Sequence, residues 1–229
     1  MAASDSYQAE RLRMVKNQIQ RRGVNDPGVL QAMRDVPRHL FVPSERRHLA
    51  YADGPLPIGE GQTISQPYIV ALMTGLLELS GEERVLEVGT GSGYQAAVLS
   101  RLAKQVYSLE RIPELASQAQ VRLTDLGCTN VDIHVGDGSM GLVEYAPYDG
   151  ILVTAAAPHV PEALKAQLTQ DGGLLVVPVG GRAGQILERW RREGESYQVE
   201  RVAPVAFVPL IGSQGWDEDD SPDRRWRSR

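Results

Sequence analysis

Residues 84–111, RVLEVGTGSGYQAAVLSRLAKQVYSLER, restrict the possible folds of this chain more than any other stretch. Val85, Leu86 and Val88 form a compact apolar run with Glu87 as its one charge. Such a run suits a strand buried on both faces of a parallel sheet. Gly89, Gly91 and Gly93 follow, then Ala96, Ala97, Leu99 and Leu102 at helical spacing. A second short run, residues 105–109, ends on Glu110. The order predicts strand, glycine turn, helix and strand, a unit that binds nucleotides. Glycines let the backbone turn sharply and approach a ligand that a Cβ would push away. The helix, expected to begin near Ser92, would aim free N–H groups at that ligand. Glu110 stands twenty-one positions after Gly89, where an acid can accept hydrogen bonds from two ribose hydroxyls.

The glycine spacing narrows the nucleotide. In the dinucleotide pattern G-x-G-x-x-G the third glycine would fall at Tyr94, whereas this chain has Gly93, one position early. That turn suits a nucleoside with an amino-acid arm better than a pyrophosphate, and Glu87 stands where an amino or cationic group could be held. EVGTGSG followed by LER resembles the first motif of S-adenosylmethionine-dependent methyltransferases.

A chain of 229 residues, 42% of them hydrophobic, can bury one sizeable core with a small appendage. No apolar run reaches membrane-spanning length, and charges from Asp5 onward leave no signal-peptide core. Cys128 is the single cysteine, without an internal disulfide partner, and is expected half-buried beside a strand. These features fit a cytoplasmic enzyme. The net charge of −5 argues against a broad nucleic-acid surface.

Before the glycine turn, residues 7–21 read as an amphipathic helix with Leu12, Val15 and Ile19 inward. Asp26 caps a second helix that Pro27 opens and Pro37 ends. A third short segment spans 39–42, and the whole region reads as a helical cap over one face of the core. Residues 51–68, YADGPLPIGEGQTISQPY, hold three prolines and three glycines with almost no apolar period. They read as a shaped functional loop. It ends at Ser65, a candidate N-cap for a helix over 68–79.

After Glu110, residues 112–126 read as a helix and 131–135 as the third strand, followed by Gly136-Asp137-Gly138. A fourth strand, 150–154, runs into Ala155-Ala156-Ala157-Pro158. A helix over 161–168 leads to a fifth strand, 174–179, and residues 185–192 and 197–204 alternate like an antiparallel pair. The expected organisation is residues 1–80 as helices and loop, 81–212 as the core, and 213–229 as a disordered charged tail.

Four stretches carry a closer likeness: LPIGEGQTISQPYIVALMTGLLEL, VLEVGTGSGYQAAVLSRLAKQVYSLER, HVGDGSMG and YDGILVTAAAPHVPEAL. With these in order, the chain resembles the protein-L-isoaspartate O-methyltransferases over residues 10–212. Those repair enzymes methylate the carboxylate of L-isoaspartyl residues in aged proteins. The resemblance implies a doubly wound, Rossmann-like α/β sheet with its last strands antiparallel. It makes Ser65 the active-site serine, and Thr63, Ile64 and Ser65 neighbours of S-adenosylmethionine. The donor site would further include Glu87, Gly89, Gly91, Gly93, Glu110, Arg111, Asp137 and Gly138, with Asp137 on the adenine. Pro57 and Ile58, Ala156-Ala157-Pro158, and Val208-Pro209-Leu210 would grip the substrate backbone.

The expected reaction needs no metal and no nucleophilic side chain. His39, His48, His134 and His159 are scattered without metal-ligand spacing, and a carboxylate of ordinary pKa is already ionised at neutral pH. The resemblance implies isoaspartyl proteins and peptides as partners, with S-adenosylhomocysteine as the product; no nucleic acid, no membrane and a monomeric enzyme are expected. An RNA or small-molecule methyltransferase is disfavoured by the acidic balance and by GQTISQP. The early third glycine counts against a nicotinamide enzyme. A non-catalytic module would have lost donor residues, and none is lost.

Overall fold

The computed structural model describes residues 7–181 and 183–218. Helix α1 (Gln8–Met14) continues through a π-helical turn (Val15–Ile19) and a 3-10 turn (Gln20–Arg22). Its buried stripe is Arg11, Met14, Val15 and Ile19; Leu12, expected inward, is 45% exposed. Arg11 takes the inward place because its stem can bury while its guanidinium reaches the Arg34 carbonyl and the Tyr51 hydroxyl. Helix α2 (Pro27–Asp35) starts as expected, with the Asp26 carboxylate accepting from the Val29 N–H at 2.8 Å.

The proline- and glycine-rich stretch is no plain loop. It holds a two-stranded hairpin, β1 (Leu56–Gly59) and β2 (Gln62–Ile64), turned at Gly59-Glu60-Gly61 with all three residues at positive φ. The hairpin leads to α3 (Pro67–Gly75), whose N-cap is Gln66 and not Ser65. Helix α3 ends before residue 79 because Glu78 turns left-handed (φ +52°), held there by Arg189 and Arg191.

The main sheet is built from β3 (Arg84–Val88), β4 (Gln105–Glu110), β5 (Val131–Val135), β6 (Gly150–Val153), β7 (Asp171–Gly181), β8 (Gly184–Glu193) and β9 (Ser196–Val205). Their spatial order is β5-β4-β3-β6-β7-β8-β9. Pairing from β5 to β7 is parallel, and β8 and β9 add as an antiparallel pair. Chain order reverses at β3, which has β4 on one side and β6 on the other. Between the strands lie α4 (Tyr94–Leu99), α5 (Pro113–Asp125) and α6 (Glu162–Ala166). Helix α4 begins two residues after Ser92 and is only six residues long.

Strand alternation divides the core. Val85, Val106, Leu152, Val176 and Leu187 face the side covered by α1 to α4, while Leu86, Val88, Ile151, Val153, Leu175 and Val177 face the α6 side. Side chains this thoroughly buried each contribute roughly 1.5–3 kcal/mol. Cys128 sits deeper than expected, buried with Leu123 and Val131. No helix among the described residues is long and apolar enough to cross a membrane.

The end of the described chain also departs from expectation. Residues 213–218 lie against the sheet: Trp216 donates from its backbone N–H to Leu210 and from its indole N–H to the Ala156 carbonyl. The indole ring gives this short polar segment an apolar anchor that its charge pattern hides. The remainder of the expected tail, 219–229, lies outside the described residues.

Candidate active site

Reversal of strand order at β3 opens a crevice at the carboxyl ends of the strands, where ligands of open α/β sheets bind. A cavity of about 690 Å³ occupies it. Its floor is the glycine turn: Gly89, Thr90, Gly91 and Ser92. Gly89 has φ +94°, and a Cβ there would lie 2.2 Å from the Thr154 hydroxyl oxygen. That hydroxyl donates toward the carbonyls of Val88 and Gly89 and so joins the turn to the end of β6. Gly93 serves another purpose. It is the left-handed N-cap of α4, packed so closely on α5 that a Cβ would come within 3.2 Å of the Ala119 Cβ. It is absent from the cavity lining, so the early third glycine sets helix packing at the turn.

Glu110, at the end of β4, lines the cavity as the sequence predicts. One carboxylate oxygen accepts from the Gly91 N–H at 2.8 Å, the other from the Ile112 N–H at 2.9 Å. The acid therefore fixes the glycine turn, and each oxygen keeps a further lone pair for a ligand hydroxyl. Arg111 is beside it, 3.5 Å from Glu218, and both line the cavity mouth.

The hairpin supplies the opposite wall with Gly61, Gln62, Thr63, Ile64 and Ser65. Ile58 lies under this wall, its Cδ1 3.4 Å from where a Gly91 Cβ would be, while Pro57 is exposed; neither lines the cavity. The Ser65 hydroxyl makes no hydrogen bond among the described residues. With the capping role gone, it is available to a ligand.

Three other expectations shift. Glu87 is fully buried beneath the turn and does not line the cavity, because its position in β3 points it toward α4. Asp137 is likewise outside the lining, although the next residue, Gly138, is in it. The Asp137 carboxylate accepts from the N–H and hydroxyl of Ser139 at 2.9 and 2.7 Å and from the Ser213 N–H at 2.7 Å. Burial works against its charge, but those bonds prevail and hold its pKa below the usual carboxylate range. Ala156-Ala157-Pro158 also stay out of the cavity. Ala156 gives its N–H to Val208 and takes the Leu210 N–H, both at 2.8 Å, and Ala157 bonds along β7. The two expected backbone grips are thus bonded to each other, and only Val208, Pro209 and Leu210 reach the cavity.

Lining residues that sequence reading passed over include Thr90, Gln95, Ile112, Thr154 and Ile211. Thr90 was legible as the variable position of the glycine motif. Thr154 was legible as the end of a strand beside β3. The others carry no local signal.

The cavity fits a nucleoside donor: a floor that a Cβ would fill, an acid with free lone pairs at the adjacent strand end, and apolar walls from Ile64, Leu109 and Ile112. Sheet order, glycine turn and acid together define the class of Rossmann-like S-adenosylmethionine-dependent methyltransferases. Comparison with known proteins narrows this. The family model described as protein-L-isoaspartate(D-aspartate) O-methyltransferase matches residues 9–215. A Methanoregula boonei protein-L-isoaspartate O-methyltransferase is 57% identical over 208 residues, covering 91% of this chain and 95% of that protein. A solved protein-L-isoaspartate O-methyltransferase superposes with a TM-score of 0.79 at 29% identity, over 91% of this chain and 67% of that one. A Plasmodium falciparum structure, described as a protein-L-isoaspartate O-methyltransferase in complex with S-adenosyl-L-homocysteine, gives 0.74 at 25% identity, over 88% and 98%. The chain belongs to the protein-L-isoaspartate(D-aspartate) O-methyltransferase family.

Proposed function

We propose that this cavity transfers the methyl group of S-adenosylmethionine to the free carboxylate of an L-isoaspartyl residue, releasing S-adenosylhomocysteine and a peptide methyl ester. One observation carries the reading: the unbonded Ser65 hydroxyl on the hairpin and the Glu110 carboxylate at the sheet edge line the same cavity. The first belongs to an acceptor half, the second to a donor half.

Glu110 would hold the ribose hydroxyls. Gly89 and Gly91 would let the donor lie on the turn, with Thr63, Ile64 and Arg111 along its sides. Adenine would rest near Gly138, on a wall whose position Asp137 maintains through Ser139 and Ser213. The donor supplies a methyl group on a positively charged sulfur, and the acceptor is already an anion, so no residue must remove a proton first. The protein's part is to orient the acceptor and to exclude water. Ser65 donates a hydrogen bond to the acceptor carboxylate and fixes its approach; it forms no covalent bond.

The substrate backbone is held by the rim. Val208, Pro209 and Leu210 form one side, and the hairpin with Pro57 and Ile58 the other. Among the described residues strand β1 pairs only with β2, so its outer edge can accept an extended peptide as an added strand. Esterification makes the carboxyl carbon carry a good leaving group, and the following backbone nitrogen can close a succinimide without further catalysis. In this reading the enzyme works as a cytoplasmic monomer without a metal, on isoaspartyl proteins and peptides rather than nucleic acid or membrane.

The deciding experiment follows labelled methyl transfer to an isoaspartyl peptide and its normal aspartyl twin. The reading expects methylation of the first with varied flanking residues, little of the second, and little when the isoaspartyl linkage is locked in a stable fold. Comparable rates for both twins would point to a different carboxyl methyltransferase activity.

A further inference from the structure

Beneath the glycine turn a chain of side chains runs from the sealed core to the cavity wall. Glu87 is fully buried; one of its oxygens is bonded to the Ser108 hydroxyl, and the other has no partner. Ser108, directly opposite on β4, is also fully buried, and its oxygen is 2.6 Å from the Thr90 hydroxyl. Thr90 is the member of the chain that lines the cavity.

We propose that Glu87 is a positioning residue for the donor: its protonated carboxyl turns the Ser108 and Thr90 hydroxyls outward, so that Thr90 donates a hydrogen bond into the cavity, and its ionisation reverses them. The proposal rests on the donor reading above. Hydrogen-bond capacity gives the argument. A hydroxyl has one proton to donate. If Glu87 is ionised, Ser108 must donate to it and Thr90 to Ser108, which leaves the Thr90 proton pointing away from the cavity. If Glu87 carries a proton, it donates to Ser108, Ser108 to Thr90, and the Thr90 proton is free for an acceptor on the ligand.

The surroundings favour the protonated form. Strand β6 offers Leu152 alongside Glu87, β4 offers Ser108, and α4 offers the backbone N–H of Ala96, none of them a cation. The Gln95 amide is directed to Thr74, at 2.9 Å. The charged group acting on Glu87 is the Glu110 carboxylate, which repels it. Burial first, opposed by the Ser108 bond and the Ala96 backbone N–H and aided by Glu110, pushes the Glu87 pKa up to about 8. The buried site thus favours the neutral acid, whereas an amino-group anchor needs the opposite charge state and an exposed position.

The test measures S-adenosylhomocysteine affinity by calorimetry between pH 7 and 9 for the wild type, Glu87→Gln and Ser108→Ala, with folding checked by thermal melting. A glutamine can donate to Ser108 as the neutral acid does, so Glu87→Gln should bind like the wild type at pH 7. Beyond the ligand's own titration, which Glu87→Gln reports, wild-type affinity should fall about tenfold from pH 7 to 9. Ser108→Ala should bind more weakly at pH 7 and lose that extra fall. Coincident profiles for the wild type and Glu87→Gln would overturn the proposal. So would a large loss in Glu87→Gln at pH 7, or an unchanged pH step in Ser108→Ala. Absence of binding by the wild type at every pH would remove the donor reading itself, a separate failure.

Discussion

Replacing Glu110 by alanine tests how the donor half is built. The carboxylate is 6% exposed and accepts from the Gly91 and Ile112 N–H groups at 2.8 and 2.9 Å. Hydrogen bonds to a charged group are worth about 1.5–3 kcal/mol each, and stranding a buried N–H costs about 1–3 kcal/mol. Gly91 and Ile112 border the cavity, where water can partly replace the carboxylate, so the stability loss should fall near the low end, about 1–3 kcal/mol in all. Donor affinity should fall by a further 1.5–3 kcal/mol, roughly 10- to 200-fold, from the lost ribose contacts and the loosened turn. Calorimetry with S-adenosylhomocysteine reads the second effect, and denaturant melts without ligand read the first. Glu110→Gln separates them, because the amide retains one acceptor for the turn but loses the charge. A folded Glu110→Ala variant with unchanged affinity would refute the assignment of the ribose to this acid. A loss of stability alone would leave Glu110 only the task of fixing the turn.

Other substitutions have equally definite outcomes. Ser65→Ala should lower the turnover number while leaving donor affinity within about threefold, since a contact made to the acceptor in the transition state appears in kcat; weaker donor binding at an equal rate would make Ser65 a donor contact instead. Gly89→Ala should destabilise by about 2–5 kcal/mol, combining backbone strain at φ +94° with the clash on Thr154, and a thermal melt near wild type would contradict the close approach. At the far wall, Trp216→Ala should weaken S-adenosylhomocysteine binding about fivefold, because the indole anchors the segment carrying Ile211 and Glu218 to Ala156. Glu218→Gln should change that affinity by less than about fivefold, since its pair with Arg111 is exposed. The reverse order of those two effects would mean that the ion pair holds the wall.

Much of the donor half is legible in the sequence because its determinants are local. A buried strand reads as an apolar run, a turn needing positive φ reads as glycine, and Glu110 is tied to the turn by its place at the end of the next strand. Strand β5 falls where its run of residues put it, and β8 with β9 pair as their alternation indicated. The acceptor half is less so. Prolines and glycines hide the period of β1 and β2, and the register of that hairpin, which brings Ser65 to the cavity, depends on a turn with Glu60 at positive φ.

The sequence alone determined that this chain has a strand, glycine turn, helix and partnering acid of the nucleotide-binding kind, because each of those features is written within about thirty consecutive residues. It also carried the family likeness. Tertiary structure decided which of the named residues face the cavity. Glu87 and Glu110 are both acids at strand ends, yet the two-residue alternation of β3 sends one into the core and the end of β4 leaves the other at the cavity. Asp137 meets Ser213 across seventy-six positions of chain, and Ala156 bonds to Val208 and bridges Pro209 by pairing that neither segment announces. Contacts so distant in sequence leave no period or spacing behind them. Burial and orientation are set by what arrives from elsewhere in the fold, and they separate the residues that can touch a ligand from those that hold the site in shape.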